Sequence, residues 1–375
     1  MQQRNLKIII SGGGTGGHIF PAIAVANAIK ALQPSTEILF VGAKGRMEME
    51  KVPQAGFPIE GLWISGFQRK LTVKNLLFPI KLIHSLLKAK KIIRKFAPNA
   101  VAGFGGYASG PILKAAAGKH IPMAIWEGNS FAGVTNKLLA RSAEKIFVAY
   151  SGMEKFFPAN KLIMSGNPVR KKLVNTNVSQ VEALRFFGLP PAKTLLVIGG
   201  SLGAFTINAS IRASLEILIK NNISVIWQTG KLYFDEIQAI VNTSEHTNIR
   251  VFDFIQRMDM AYTASDIVIS RAGALSISEL CVTGKPAVLV PSPNVAEDHQ
   301  TKNAKALFNA GAALMIKDTE AVKKCGEILI ALFEDENKRA ELSHNILKLA
   351  LPAAAEIIAD EIIKMTHVNK INCLI

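Results

Sequence analysis

The stretch KIIISGGGTGGHIFPAIAVA, residues 7 to 26, decides the fold of this chain. A short β-branched run comes first, and five glycines follow within the six positions 12–17. The second half is apolar, as expected for a buried helix. A glycine loop before a helix exposes backbone N–H groups at the positive end of the helix dipole, which favours a bound phosphate. The stretch therefore predicts a strand–loop–helix unit that binds an anion; the alternative is a tight turn that binds nothing.

The same arrangement recurs at residues 194 to 218, TLLVIGGSLGAFTINASIRASLEIL. Strand-like runs alternate with amphipathic stretches along most of the chain, which is typical of βαβ units and parallel sheets. We predict strands at 7–10, 37–41, 100–102, 123–126, 145–148, 194–198, 224–228, 266–269 and 287–290. The chain is thus predicted to be an α/β protein with two Rossmann-like domains facing a cleft, where ligands bind at the carboxyl ends of the strands.

The domain borders are predicted where glycine, asparagine and proline interrupt the periodicity, in SGNPVR at residues 165–170. The N-terminal domain is predicted at 1–165 and the C-terminal domain at 166–350. We expect residues 351–375 to form a helix that returns to the N-terminal domain.

Composition narrows the class of protein. The 375 residues carry a net charge of +16, with 49% hydrophobic and 7% aromatic residues, which indicates a globular protein with an anionic partner. Nucleic acid is not expected, because aromatic residues are few and no zinc-finger or RNP motif is present. The three cysteines show no metal or disulfide spacing, so we predict no metal and a reducing cytoplasm.

Gly12, Gly14 and Gly17 satisfy the pattern G-x-G-x-x-G of dinucleotide-binding proteins. That class of site needs an acidic residue at the end of the next strand, whereas EILFVG ends in Gly42. The Gly-Lys-Ser/Thr ending of a P-loop is also missing. Three more glycine loops lie at 103–110, 199–204 and 270–279, which indicates more than one phosphate group, such as a nucleotide and a phosphorylated acceptor.

Five segments together resemble the MurG family of peptidoglycan glycosyltransferases. They are GGTGGHIFPAIAVA (13–26), GFGGYASGP (103–111), GNPVR (166–170), GGSLGA (199–204) and SRAGALSISEL (270–280). The resemblance implies a GT-B fold without catalytic metal or cofactor. It also implies inverting transfer of N-acetylglucosamine from UDP-N-acetylglucosamine to the C4 hydroxyl of undecaprenyl-pyrophosphoryl-muramyl-pentapeptide. The expected location is the cytoplasmic face of the cell inner membrane, as a peripheral protein, with the cell-wall and division machinery as further partners.

The resemblance assigns most of the donor site to the second domain. Glu279 matches the acid that binds the ribose hydroxyls; the alternative is a capping box formed with Ser276. Ile255 matches a backbone position that reads uracil, or is an ordinary core residue. Gln300 matches a contact of the donor sugar, or is a solvated loop residue. The remaining donor contacts that it implies are Thr15, Gly16, Gly17, Asn129, Arg170, Ser201, Ala274, Leu275 and Ser276.

The acceptor and the chemistry are assigned to the first domain. His18 is the candidate general base, and the alternative is a polar residue that only binds the loop or a phosphate. Glu127 is the next candidate catalytic residue. The family usually has His-Glu-Gln-Asn where this chain has Trp126, Glu127, Gly128 and Asn129. The expected acceptor contacts are Gly13, Gly14, Gly105, Gly106 and Tyr107, although buried packing is an equal alternative for the tyrosine.

A segment without acidic residues, NLLFPIKLIHSLLKAKKIIRKF at 75–96, is the candidate membrane face. Basic residues and apolar residues recur along it, so it would rest on an anionic membrane surface; the alternative is a surface helix packed on the core. The expected membrane contacts are Leu76, Leu77, Phe78, Ile80, Lys81 and Lys88.

Two other functions remain open on the sequence. One is a different GT-B glycosyltransferase that acts on a membrane lipid. The other is a catalytically inactive peripheral protein that binds a UDP-sugar, which the loss of the family histidine and glutamine would favour.

Overall fold

The computed structural model describes residues 5–66, 77–174, 176–243, 247–295 and 298–371. The chain forms two compact units: Met1–Arg170 with Pro352–Ile375, and Lys171–Leu351. We call them unit 1 and unit 2. The divisions fall within a few residues of the predicted borders, and the C-terminal segment belongs to unit 1.

Thirteen strands are present in the described residues. They are β1 (Lys7–Ser11), β2 (Glu37–Ala43), β3 (Ile59–Leu62), β4 (Ala100–Gly103), β5 (Met123–Glu127), β6 (Lys145–Val148), β7 (Leu162–Met164), β8 (Thr194–Ile198), β9 (Ser224–Gln228), β10 (Ile249–Phe252), β11 (Ile267–Ser270), β12 (Ala287–Leu289) and β13 (Leu314–Met315).

Fifteen α-helices accompany them in the same part of the chain. They are α1 (Gly16–Leu32), α2 (Glu48–Gln54), α3 (Phe78–Phe96), α4 (Ser109–Ala117), α5 (Val134–Leu139), α6 (Lys171–Val174), α7 (Gln180–Phe186), α8 (Phe205–Lys220), α9 (Phe234–Thr243), α10 (Met258–Ala264), α11 (Ala274–Thr283), α12 (His299–Asn309), α13 (Asp318–Glu334), α14 (Glu336–Leu347) and α15 (Ala354–Ile371).

Both units have a parallel sheet with the strand order of a Rossmann fold. The sheet of unit 1 has the order β3-β2-β1-β4-β5-β6-β7, and that of unit 2 has the order β10-β9-β8-β11-β12-β13. In each sheet the order reverses beside the first strand, between β1 and β4 and between β8 and β11. Ligands of such folds bind at this switch point. All four predicted glycine loops follow these four strands, so the α/β class with two Rossmann-like parallel sheets is confirmed.

The strands at the switch points are buried on both faces, which explains why they are almost entirely apolar. Ile8, Ile9 and Ile10 are fully buried in β1, which pairs in parallel with both β2 and β4. A rigid strand of this kind fixes the position of the loop that leaves it. The N-terminal glycine loop therefore starts from one of the best-anchored points of unit 1.

Helix α15 completes the core of unit 1 by packing against α1. Ala355, Ile358 and Ile362 of α15 lie in one apolar cluster with Ala22 and Val25 of α1. No helix within the described ranges is long and apolar enough to cross a bilayer.

Candidate active site

The two glycine loops of unit 1 contact each other through their backbones. The Gly13 N–H donates to the Gly105 carbonyl oxygen over 3.3 Å. Gly106 has a φ of +80°, and a Cβ there would overlap the Gly13 carbonyl oxygen. A side chain is therefore excluded at residue 106 by both conformation and space. The loops at 12–17 and 103–110 form one continuous surface at the switch point.

Helix α1 begins at Gly16, directly after this contact, with Thr15 as its N-cap. The Thr15 side chain makes no capping hydrogen bond, and both Thr15 and Gly17 are exposed. First-turn N–H groups of a helix have no acceptor within the helix, and the helix dipole makes this end attractive to anions. The geometry suits the predicted phosphate contacts of Thr15, Gly16 and Gly17.

The carboxylate of Glu48, which the sequence patterns missed, lies at the tip of β2. Its Oε2 accepts a 3.0 Å hydrogen bond from the Gly14 N–H, and its Oε1 accepts one of 3.0 Å from the Ala43 N–H. The expectation that no acid stands at the end of β2 is therefore wrong. No acidic residue ends the strand in the sequence, but the folded chain brings the Glu48 carboxylate to this position. The Gly14 N–H is also already used, so this N–H is not available for the predicted contact with the acceptor.

His18 lies in the first turn of α1, with its ring against Gly105. A Cβ at Gly105 would lie 2.7 Å from the His18 Nδ1. Burial lowers the pKa of His18 below its ordinary value of 6.5, while the charge of Glu127, the Phe104 carbonyl and the charge of Glu48 act in the opposite direction. The imidazole is therefore neutral near pH 7, the form that accepts a proton.

Glu127 accepts four hydrogen bonds from the loop that follows β5 and from helix α5. Its Oε1 accepts from the backbone N–H and the side-chain amide of Asn129 at 3.2 and 3.3 Å. Its Oε2 accepts from the Gly133 N–H and the Asn136 amide, both at 2.9 Å. A buried carboxylate so fully engaged holds the loop and orients Asn129. Both oxygens of Glu127 thus already accept hydrogen bonds, and its catalytic role stays a prediction.

The Trp126 ring lies close to Gly128, where a side chain at residue 128 would project. The Trp126 ring is buried and packs against Phe104, with centroids 5.7 Å apart. A Cβ at Gly128 would lie 2.5 Å from the indole Cζ2. The tryptophan thus fills the space into which a glutamine at 128 would project, so the two departures from the family pattern compensate for one another.

Tyr107 projects from the second glycine loop toward the first. Its side chain is 47% exposed, and a Cβ at Gly14 would lie 3.6 Å from its Cε2. The alternative of buried packing is wrong. Within the described residues, the phenol lies beside Gly14 and Gly66 and keeps part of its surface exposed.

In unit 2, Gln228 joins the loop after β8 to the loop after β10. Its Nε2 donates to the Gly200 carbonyl oxygen over 3.1 Å, and its Oε1 accepts from the Ile255 N–H over 2.9 Å. Ile255 is buried in the core, as its alternative interpretation predicted. Its N–H is therefore not available to read a base while Gln228 holds it. Ser201, next to Gly200, is half-buried on the same loop.

Helix α11 starts at the switch point of unit 2, with Gly273 as its N-cap. Ala274, Leu275 and Ser276 form its first turn, as a diphosphate contact requires. Glu279 lies in the second turn, buried, with its Oε2 accepting a 3.3 Å hydrogen bond from the Tyr262 hydroxyl. The capping-box alternative is wrong, because the helix begins before Ser276 and Glu279 lies too far inside it.

The side chains of Arg170 and Gln300, the predicted phosphate and sugar contacts, each contact a neighbouring residue. The Arg170 guanidinium lies 4.7 Å from the ring centroid of Phe20, in unit 1. The Oε1 of Gln300, in unit 2, accepts a 2.9 Å hydrogen bond from the Ser292 N–H. Both side chains are partly exposed. Gln300 is therefore not a solvated loop residue: it lies in α12, its Oε1 is bound, and its amide N–H₂ remains as a donor.

Comparison with known proteins decides the family. Models of the glycosyltransferase family 28 N-terminal and C-terminal domains match residues 8–148 and 194–358. A protein of Bacteroides thetaiotaomicron is 56% identical over 368 residues, which cover 97% of this chain and 99% of that protein. The chain belongs to glycosyltransferase family 28.

Other family 28 members agree over nearly the full length. A protein of Bacteroides fragilis is 55% identical over 365 residues, covering 96% of each chain. Both relatives are named UDP-N-acetylglucosamine–N-acetylmuramyl-(pentapeptide) pyrophosphoryl-undecaprenol N-acetylglucosamine transferase. The crystal structure of Acinetobacter baumannii MurG superposes with a TM-score of 0.72 at 29% identity, covering 96% of this chain and 99% of that one. The predicted resemblance to the MurG family is confirmed.

Both matched regions include glycine loops at the switch points of their sheets. Within the ranges that the structure describes, no group of three or more histidine, cysteine, aspartate or glutamate side chains is arranged to hold a metal ion. Sequence reasoning missed Glu48, Gln228 and Tyr262. Each makes at least one hydrogen bond to a residue in another part of the chain, which leaves no local pattern.

Proposed function

We propose that the protein transfers N-acetylglucosamine from UDP-N-acetylglucosamine to the C4 hydroxyl of the muramyl sugar of undecaprenyl-pyrophosphoryl-muramyl-pentapeptide. The observation that carries the proposal is the full-length identity of 55–56% to transferases named for this reaction, together with intact glycine loops at both switch points. The product is a lipid-linked disaccharide for peptidoglycan synthesis.

The donor binds to unit 2 in this proposal. The diphosphate meets the first turn of α11 and the loop with Ser201, where N–H groups and the helix dipole face negative charge. Glu279 accepts hydrogen bonds from the ribose hydroxyls, beside Tyr262. The backbone of Ile255 contacts uracil in one of two ways. Either the Ile255 N–H binds the base after Gln228 releases it, or the Ile255 carbonyl oxygen binds the base while the bond to Gln228 stays. Gln300 donates to the sugar through its amide.

The chemistry is a displacement with inversion at the anomeric carbon. His18, neutral near pH 7, accepts the proton of the muramyl hydroxyl as the new glycosidic bond forms, and UDP leaves. General-base catalysis of this kind contributes roughly 10²–10⁴ in rate. The N–H groups of the glycine loops and Arg170 stabilise the charge of the phosphates, because such donors are already in place before the reaction.

The membrane face is proposed to be the exposed side of α3. Leu77, Ile80, Ile83 and Leu87 are 45–63% exposed and recur at helical spacing; Leu76 lies outside the described residues, and Phe78 is half-buried. Lysines and an arginine follow toward the C-terminal end of α3, where they suit an anionic lipid surface. The protein would then be a peripheral protein of the cytoplasmic face of the inner membrane, beside the cell-wall and division machinery.

Lys81 and Lys88 do not share this exposed side. The Lys81 ammonium donates to the Ser65 hydroxyl over 3.2 Å and lies over the Trp63 ring. The Lys88 ammonium donates to the Gly61 carbonyl oxygen over 2.9 Å and pairs with Glu60 at 3.0 Å. The predicted role of these two lysines in membrane binding is revised, because their charges are held by β3 and the segment after it.

The deciding experiment is transfer of labelled N-acetylglucosamine from UDP-N-acetylglucosamine to a muramyl-pentapeptide lipid. We expect turnover without added metal, measured in the presence of a chelator. Donor binding without turnover would favour the inactive UDP-sugar-binding protein, and transfer only to another lipid acceptor would favour a different glycosyltransferase.

A further inference from the structure

Glu48 is a fully buried carboxylate in the part of unit 1 that carries the proposed chemistry, and none of the predicted roles uses it. It is the first residue of α2 and has no exposed surface. No ion pair joins it to a cation within the described residues. Burying a carboxylate costs several kcal/mol unless hydrogen bonds compensate, so its position at this site calls for a functional reason.

The hydrogen bonds of Glu48 tie the end of β2 to the first glycine loop. One oxygen accepts from Ala43, the last residue of β2, and the other accepts from Gly14. Bonds from backbone N–H groups to a charged acceptor are about twice as strong as neutral ones. The loop is therefore fastened on one side by Glu48 and on the other by the Gly13–Gly105 hydrogen bond.

The neighbouring glycines are shaped to admit this side chain. A Cβ at Gly13 would overlap the Glu48 Oε1, and a Cβ at Gly42 would lie 2.5 Å from its Cγ. Part of the glycine content of the first loop is thus explained by packing against Glu48 rather than by contact with a phosphate. The carboxylate and the bare backbone form one unit.

Glu48 also acts on His18 through its charge. The groups that face the imidazole are Glu127 from β5, the Phe104 carbonyl from the loop after β4, and Glu48 from α2. Both carboxylates favour the imidazolium, which is the form that His18 takes after it accepts a proton. Glu48 therefore has two effects at one place: it fixes the loop that leads into His18, and it stabilises the charge that forms there.

We propose that Glu48 is a positioning residue, which holds the glycine loop 12–17 and His18 in the geometry required for transfer. The inference rests on the proposed function, because it assigns Glu48 to the reaction in which His18 is the base. Its test separates the two ideas by including a measurement that needs no turnover.

The first variant is Glu48→Gln, which keeps the size, removes the charge and places an amide N–H₂ against one of the two donors. We expect kcat to fall by about ten- to a hundredfold, as for a misplaced catalytic group, with a much smaller change in the KM for UDP-N-acetylglucosamine. Glu50→Gln on the same helix is the matched control, because the Glu50 side chain is 65% exposed; its kcat should equal that of the wild type.

The second measurement is the titration of His18 by NMR in histidine-labelled protein. The chain has seven histidines, and the signal is assigned by its loss in His18→Ala. In Glu48→Gln the pKa of His18 should move down, because a negative charge near the imidazolium is removed. A role in packing alone would leave this titration unchanged.

Glu48→Asp keeps the charge but shortens the reach, and it carries the test if Glu48→Gln does not fold. The titration of His18 should stay closer to that of the wild type, whereas kcat should still fall because the Gly14 bond is lost. Wild-type kcat in the folded variants, or an unchanged His18 titration in Glu48→Gln, would overturn the proposal. Full activity of His18→Ala would instead overturn the base role of His18. The comparison of the His18 titration in the wild type and in Glu48→Gln would still report the effect of the Glu48 charge.

Discussion

The indole of Trp126 occupies the space that a side chain at Gly128 would need, with 2.5 Å from its Cζ2 to the position of a Cβ there. Residues 126 and 128 are two positions apart at the end of β5. Side chains at these positions therefore point to the same side of the strand. A side chain at residue 128 would therefore have to displace the indole, and glycine avoids this overlap. What the sequence shows as two losses from the family pattern is, in the structure, one exchange.

This relationship predicts strong coupling between the two positions. Gly128→Gln alone should destabilise the protein by about 1–3 kcal/mol through overpacking, and Trp126→His alone by on the order of 2 kcal/mol through lost packing. The double variant, which restores the family pattern, should be more stable than the sum of the single effects by about 1 kcal/mol. Urea unfolding of all four proteins measures the coupling, and strict additivity would contradict it.

The sequence predicted the strands of both switch points and all four glycine loops, because each combines a buried apolar run with glycine. Short strands at the edges of the sheets, such as β7 and β13, lack a buried apolar run and were missed. Glu48 and Gln228 were missed for another reason. They join segments that are distant along the chain, and only the folded sheet brings these together.

The proposed donor site in unit 2 gives a prediction about the ribose. Glu279→Gln keeps an oxygen to accept from Tyr262, so the melting temperature should change little. The affinity for UDP should fall at least about tenfold, or about 1.4 kcal/mol, because a charged acceptor for the ribose hydroxyls is lost. Glu236→Gln, at a side chain that is 63% exposed, is the control.

A second nucleotide sharpens this test. The wild type should bind UDP more tightly than 2′-deoxy-UDP, and Glu279→Gln should lose most of that preference. Equal preference in the wild type and the variant would remove Glu279 from the ribose site.

The titration of His18 predicts how activity depends on pH. Burial lowers the pKa of His18, so the acidic limb of kcat/KM should lie below 6.5 and should be absent from the residual activity of His18→Ala. The same shift has a consequence for stability. The unfolded chain binds the proton more readily, so the free energy of unfolding decreases as the pH falls from 6.5 through the lowered pKa. A limb above 6.5 would contradict the neutral-base assignment.

The exposed side of α3 predicts which changes release the protein from membranes. Ile80→Glu with Leu87→Glu should weaken binding to vesicles that contain anionic lipid, without loss of folding, since these side chains are 56% and 63% exposed. Leu232→Glu, at an 80% exposed site in unit 2, is the control. Transfer to a short, water-soluble acceptor should survive. Sedimentation with vesicles measures the effect, and unchanged binding by the double variant would place the membrane face elsewhere.

The return of α15 to unit 1 also determines the order in which the protein can mature on the ribosome. Unit 2 is a continuous stretch, Lys171–Leu351, and its whole sequence is available before α15 has been synthesised. Unit 1 starts before unit 2 and is completed after it, because Ala355, Ile358 and Ile362 close the apolar surface of α1 only once the segment that follows unit 2 has been synthesised. A premature stop near residue 350 would leave nearly all of unit 2 in place and remove from unit 1 the helix that packs on α1.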